Sequence, residues 1–268
     1  MNLANTIKFS NKIRLHALKM TSRAGTSHIG SMLSIADIVA VLFNNILKTK
    51  PPKKDNKKNS KDYFILSKGH AGGIVYAALA EKGFFSIKKL ETYCKNGSTL
   101  SGHISHYKVP GVDFSSGSLG HGLSVSCGLA LSNSRKRIFN LMSDGELDEG
   151  SNWEAILFAS HHNLSNLVNI IDYNKIQSIK SIKDTLNLEP LKKKWEAFGW
   201  KVLEVDGHNH RQIFLALQDK SLSKPLCLIC HTVKGKGVDF MEKNNLWHYR
   251  TARGDEFQKA KIQIEKKI

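Results

Sequence analysis

Asp144 and Asn174, thirty residues apart, carry the most specific chemical signal in this sequence. Each follows a short apolar run that reads as a β-strand. Ile138-Phe139-Asn140-Leu141-Met142 leads into Ser143-Asp144-Gly145-Glu146, and Ile170-Ile171-Asp172-Tyr173 leads into Asn174-Lys175-Ile176. If the two strands are parallel neighbours, their carboxyl ends bring both side chains together. A carboxylate, an amide oxygen and a main-chain carbonyl, that of Ile176, form a hard-oxygen set suited to magnesium or calcium. Such ions complete their shells with phosphate oxygens and water. Taken singly, Asp144 would serve as a helix cap and Asn174 as a turn residue. Their paired placement, with Gly145 between strand and helix, favours the metal.

The second signal is histidine. Of twelve, several stand in glycine-containing turns: Ser27-His28-Ile29-Gly30, Lys68-Gly69-His70-Ala71-Gly72, Gly102-His103-Ile104-Ser105-His106, Leu119-Gly120-His121-Gly122 and Asp206-Gly207-His208. Imidazoles carried on loops suit proton transfer, hydrogen bonding to a polar substrate, or contact with a diphosphate. His16, His161, His162 and His210 lie on or beside predicted helices, where a surface or capping role is expected. The turn Ser116-Gly117-Ser118-Leu119 precedes a helix of small residues, whose free N–H groups and dipole can bind an anion.

Loops of this kind need a frame. Apolar residues recur at helical spacing over residues 3–20, 34–47, 70–82, 121–134, 149–161, 190–198 and 209–219. Between them lie five strand-like runs, Tyr63–Leu66, Ile138–Met142, Leu167–Asp172, Val202–Val205 and Leu226–Cys230. Strands alternating with crossover helices predict a three-layer α/β domain. Its sheet is mostly parallel, with helices on both faces and ligands at the carboxyl ends of the strands. No internal repeat divides the 268 residues, so one domain over 1–268 is expected.

Charge is a weaker guide. The chain carries a formal +17, a field able to attract phosphates, acidic proteins or nucleic acid. Much of it is local, with Lys48, Lys50, Lys53, Lys54, Lys57, Lys58 and Lys61 crowding a stretch that reads as a solvated loop. No aromatic residue interrupts that run to stack on bases, which argues against nucleic acid. The sequence has no run of about 18 apolar residues, and its amino end lacks an apolar signal core, so neither membrane insertion nor secretion is expected. Four scattered cysteines do not make a disulfide framework, and a cytoplasmic location follows. Cys227 and Cys230 spell a CxxC, but on a strand residues three apart face opposite sides, which removes them as a redox or zinc pair.

Together these blocks resemble transketolase, a thiamine diphosphate enzyme, from about Leu15 to Tyr249 and over only its diphosphate-binding half. The family's Gly-Asp-Gly turn with an Asn some thirty residues later is similar to Ser143-Asp144-Gly145 and Asn174. The other matching blocks, in order, start at Ser27, Leu66, Ser101, Ser116, Asp172, Asp206 and Thr232. Ser143 replaces a Gly of that pattern, and Ile29 and Ile104 stand where Pro is common. The resemblance implies that Asp144, Asn174 and the Ile176 carbonyl hold Mg2+ or Ca2+. It implies cofactor contacts from His70, from Gly117, Ser118 and Leu119, and from Gly145 and Glu146 beside the metal ligands. His28, His70, His103 and His248 are implied to face the reacting sugar and the thiazolium ring.

By the same resemblance, the activity is transfer of a two-carbon ketol unit from a ketose to an aldose. The glutamate that activates the cofactor belongs to a second, pyrimidine-binding domain, which a 268-residue chain has no room for. A split enzyme is therefore expected. Its other component is a C-terminal transketolase subunit, in an assembly of two chains of each kind, with sugars or sugar phosphates as substrates. Other readings are another thiamine diphosphate enzyme, such as a 2-oxoacid dehydrogenase alpha chain or a 1-deoxyxylulose-5-phosphate synthase relative, a catalytically dead paralogue, or a basic nucleic-acid-binding protein.

Overall fold

A computed structural model describes residues 2–51, 62–219 and 223–268. Lys53, Lys54, Lys57, Lys58 and Lys61 of the lysine-rich stretch lie outside the described residues. The five apolar runs pair as one parallel sheet of β1 (Tyr63–Leu66), β2 (Ile138–Ser143), β3 (Leu167–Tyr173), β4 (Lys201–Asp206) and β5 (Leu226–His231). Their spatial order is β1-β2-β3-β5-β4. β2 and β3 are neighbours in a register that pairs Ser143 with Asp172, so the turns that follow them emerge side by side.

Side-chain alternation splits the sheet into two buried faces. Phe139, Leu141, Val168, Ile170, Leu226, Leu228 and Cys230 join one core; Ile138, Met142, Leu167, Ile171, Cys227 and Ile229 join the other. Cys227 and Cys230 thus lie on opposite faces, as the strand period requires, and all four cysteines are free thiols. The first core is covered by α1 (Leu3–Ala24), α2 (Ile29–Ser34), α3 (Ala36–Val41) and α4 (Gly72–Glu81). The second is covered by α5 (Gly122–Ser132) and α6 (Gly150–His161), followed by the single turn α7 (Ile182–Thr185) and by α8 (Leu191–Ala197). The last two helices, α9 (His210–Gln218) and α10 (Gly254–Glu265), return to the first face.

The helix expected over 34–47 is instead three pieces. α2 starts earlier, Ile35 leaves helical geometry at φ −98° and ψ 2°, and after α3 the chain widens into a π-turn over Leu42–Ile46. At the junction Ser34 donates its hydroxyl to Asp172 instead of continuing the helix surface. α10 escaped the periodicity reading because its buried stripe is thin, only Ala260 and Ile264 being buried. Among the described residues no helix is long and apolar enough to cross a membrane.

Two glycines let the loops above the sheet close together. A Cβ on Gly69, just past β1, would lie 2.2 Å from the Ser116 carbonyl oxygen, and one on Gly122, at the start of α5, would lie 2.2 Å from Ser67 Oγ. Only hydrogen fits at either position.

Candidate active site

The carboxyl ends of four strands open into a cleft of about 260 Å3. The segment after β1 contributes Lys68 and His70, β2 contributes Asp144 and Gly145, β3 contributes Asn174, Ile176 and Gln177, and β5 contributes Lys234. His28 enters from the start of α2, His103, Gly117 and Leu119 from the long connection before α5, and His248 and Tyr249 from a turn near the end of the chain. The structure therefore brings together most of the site residues expected from the sequence, namely Asp144, Gly145, Asn174, Ile176, Gly117, Leu119, His28, His70, His103 and His248.

The oxygen donors are held by their own backbone. Asp144, only 1% exposed, accepts N–H bonds from Gly145 at 2.7 Å and Lys175 at 2.6 Å, so the β2 and β3 turns are tied through its carboxylate. Asn174 accepts the Ile176 N–H at 3.0 Å and donates to Asp172 at 3.0 Å, which fixes which end of its amide is oxygen. Burial, with Asp172 close by, pushes the Asp144 carboxyl up to about 7. A buried carboxylate in that state is short of positive charge, and a divalent cation bound to it supplies it.

Beneath this set lies a buried ion pair. Lys68 Nζ and Asp172 Oδ2 are 2.6 Å apart with side chains 1% and 0% exposed. Burial alone would raise Asp172; Lys68, with hydrogen bonds from Ser34 and Thr232, holds it below the usual carboxylate range. A second buried lysine, Lys234, directs its ammonium to the carbonyls of Ile176 and Gln177, both at 3.0 Å, and to His248 Nδ1 at 2.9 Å. Three acceptors use its three N–H donors. Burial and the nearby Lys68 lower it to about 8.

Four imidazoles face one another across the cleft. The His28 ring centre lies 5.1 Å from that of His70, 5.7 Å from His103 and 5.0 Å from His248. Burial, then His103 and the two lysines, lowers His28 to about 4; burial and Lys234 lower His248 to about 3; burial and Lys68 hold His70 well below its usual value. At neutral pH these three rings are uncharged, so each offers one donor and one acceptor, the form suited to exchanging protons with hydroxyls.

The shifts set a stability slope. An unfolded His28 takes up a proton near 6.5, whereas the folded ring resists protonation down to about 4. In that interval the unfolded chain binds more protons, so the stability present above pH 6.5 is lost as pH falls through it. His28→Asn removes this group at a position with φ +76°, which asparagine tolerates. The drop in Tm between pH 7.5 and 5.5 is expected to be smaller in the variant than in the wild type when both are followed by circular dichroism; an equal drop would contradict the assignment.

The family described as transketolase, thiamine diphosphate binding domain, matches residues 6–266. The chain belongs to the transketolase family. An apulose-4-phosphate transketolase subunit of Actinobacillus succinogenes is 41% identical over 252 residues, covering 92% of this chain and 90% of that relative. A 6-deoxy-6-sulfo-D-fructose transketolase subunit of a Clostridium species is 36% identical, covering 96% of this chain and 95% of that relative. Among solved structures, the transketolase of Campylobacter jejuni superposes with a TM-score of 0.89 at 29% identity, over 99% of this chain and 43% of that one. The chain thus has the length of the separate subunits and about two-fifths of the length of the solved transketolases it matches.

Within this transketolase fold several expected residues have other surroundings. Glu146 does not line the cleft. It is fully buried, and its carboxylate accepts from Ser67 Oγ, from the Gly120 N–H at 3.0 Å and from the Ser143 N–H at 3.4 Å. Those bonds make it a brace between three loops. Ser118 is exposed and outside the lining, unlike Gly117 and Leu119 on either side. His210, expected in a surface or capping role, is 5% exposed and bonds Asp37 at 2.9 Å. Lys68, Lys234 and Tyr249 line the cleft and were not singled out from the sequence. For Lys68 and Lys234 the signal was available, since each lies in a glycine-containing block, Lys68-Gly69-His70 and Lys234-Gly235-Lys236-Gly237.

Proposed function

We propose that this chain is one diphosphate-binding domain, and that it forms the corresponding subunit of a split transketolase. In this reading Asp144, Asn174 and the Ile176 carbonyl hold Mg2+ or Ca2+, and Gly117, Leu119, Gly145 and His70 contact thiamine diphosphate. One observation carries it. A carboxylate, an amide oxygen and a carbonyl from adjacent strand ends converge on the cleft that four imidazoles line. The donor set is hard oxygen throughout, and the carboxylate lies in a place where burial makes a cation favourable. Gly145 also leaves room, because a Cβ there would meet Gln177 Cγ at 3.0 Å.

The chemistry supplied by bound thiamine diphosphate is that of an electron sink for breaking and making the bond to a two-carbon unit. The chain's own groups position and polarise. His28, His70, His103 and His248 give protons to and take them from sugar hydroxyls. Lys234 fixes the Ile176 carbonyl and holds His248 with its Nε2–H free. The activating glutamate comes from a C-terminal transketolase subunit carrying a pyrimidine-binding domain, in keeping with relatives named as subunits. Sugars or sugar phosphates are the substrates, and the four free thiols agree with a cytoplasmic setting.

The purified chain alone is expected to show no ketol transfer from hydroxypyruvate to an aldose. Activity is expected on adding a separately expressed pyrimidine-domain subunit. Robust turnover without that subunit would refute the split reading. Binding of thiamine diphosphate should require the divalent ion, whereas a nucleic-acid-binding protein would lose affinity steeply with salt and keep it without metal.

A further inference from the structure

Outside the cleft, one buried carboxylate gathers three side chains from two other parts of the chain, α1 and the turn after β4. Asp37, 5% exposed in α3, accepts both Arg14 Nη1 at 2.9 Å and Nη2 at 2.5 Å, and bonds His208 Nδ1 at 2.8 Å and His210 Nε2 at 2.9 Å. Burial alone would raise Asp37, and Arg14 with the two imidazoles overrides it, keeping the carboxyl well below its usual range. The carboxylate is therefore a fixed anion.

His208 connects that anion to the cleft. Its second ring nitrogen, Nε2, lies 2.8 Å from the backbone nitrogen of Val233. A backbone N–H can only donate, so Nε2 is the acceptor and the ring proton is on Nδ1, pointing at Asp37. Asp37 thus selects the tautomer, and the tautomer provides the acceptor that Val233 needs. Val233 itself joins Thr232, which bonds the buried Asp172 beneath the cleft, to Lys234, which lines it. Thr232 donates its hydroxyl to Asp172, and Lys234 sends its ammonium to Ile176, Gln177 and His248.

We infer that His208 is a positioning residue: with Asp37 behind it, it holds the Val233 N–H and so sets the place of Lys234 against the Ile176 carbonyl. The inference rests on the reading of the cleft as the diphosphate and metal site. Bonds one step removed from a ligand, as that of Lys234 to the Ile176 carbonyl is, change affinity by roughly 10–100-fold when removed, and His208, which acts through Lys234, is expected at the lower end of that range.

Two variants test it. His208→Leu keeps the bulk and removes the acceptor, while His208→Gln offers an amide oxygen to Val233 and an amide donor to Asp37. In the full-length chain, hydrogen exchange at the Val233 amide should be faster in His208→Leu and near the wild-type rate in His208→Gln. Calorimetric titration with magnesium and thiamine diphosphate should show affinity reduced about tenfold in His208→Leu and largely restored in His208→Gln. Added to Lys234→Met, His208→Leu should cause no further loss, because both act on one group. Unchanged Val233 exchange in His208→Leu would overturn the inference. So would a loss of the same size whether or not Lys234 is present, the result of a merely structural role. A wild-type chain that binds no thiamine diphosphate in the same titration would sink the reading of the cleft instead, with the exchange data still reporting on the His208–Val233 bond.

Discussion

Asp144→Ala is expected to abolish magnesium-dependent binding of thiamine diphosphate while the chain stays folded. Asp144 is the only carboxylate in the proposed donor set, so its removal leaves an amide and a carbonyl, neither of which carries charge. Loss of even a supporting group near a metal costs up to about 100-fold in affinity, and loss of a charged ligand should exceed that, roughly 2.8 kcal/mol or more. The effect on folding is smaller because two terms oppose. Alanine deprives the Gly145 and Lys175 N–H groups of their acceptor, at about 1–3 kcal/mol for each left buried and unpaired. It also removes a carboxyl that burial and Asp172 push up to about 7, a group whose ionised form disfavours the fold as pH rises toward that value. Calorimetry reads the first effect and a thermal melt the second. Unchanged affinity would defeat the metal assignment; a collapsed melt would leave Asp144→Asn, which keeps one acceptor, to decide it by the same titration.

That Asp144 and Asn174 meet was legible because the physics is local. Two apolar runs of strand length each end in a turn residue, and adjacent parallel strands carry those ends to the same edge. Cys227 and Cys230 were legible for the same reason, since the two-residue period of a strand places them apart without any knowledge of what they touch. The Lys68–Asp172 pair was not legible, because it spans 104 residues and crosses from the end of β1 to the end of β3, past the intervening strand. The Asp37 cluster joins α1, α3 and the turn after β4, three places whose proximity only the packed fold decides. The order of the last two strands could have been read in part. β4 carries Lys201, Glu204 and Asp206 at exposed positions, the composition of an edge strand, while β5 is apolar almost throughout and lies inside.

Glu146 shows how a motif can mislead about role while being right about place. Its neighbours Asp144 and Gly145 line the cleft, so a contact from the next residue was a natural expectation. The short 3-10 turn over Gly145–Asp148 rotates the Glu146 side chain back beneath the loops, where Ser67, Gly120 and Ser143 all donate to it. Three loops that carry His70, Leu119 and Asp144 therefore share one buried acceptor. Precision at the cleft comes from such bonds as much as from the residues that line it.

Lys68→Met is expected to destabilise the chain by about 3–5 kcal/mol, the usual consequence of removing one partner from a buried ion pair. Asp172 would keep its hydrogen bonds from Ser34, Thr232 and Asn174 but lose the cation that bonds it. It would also remain near Asp144, so the repulsion between these two buried carboxyl groups would be offset by Lys234 without Lys68. Domains of this kind are stable by only about 5–15 kcal/mol in total, so a loss of this size should be plain as a lowered urea midpoint. The double variant Lys68→Met with Asp172→Asn removes both charges and retains an amide whose oxygen accepts from Ser34 and Asn174 while its NH2 donates to the Thr232 hydroxyl. It should recover most of the lost stability, because the cost lies in the unpaired charge and not in the absence of the attraction. Equal midpoints for Lys68→Met and the wild type would show that Asp172 is neutral in the folded chain, and a double variant no better than the single one would place the cost in packing around Lys68.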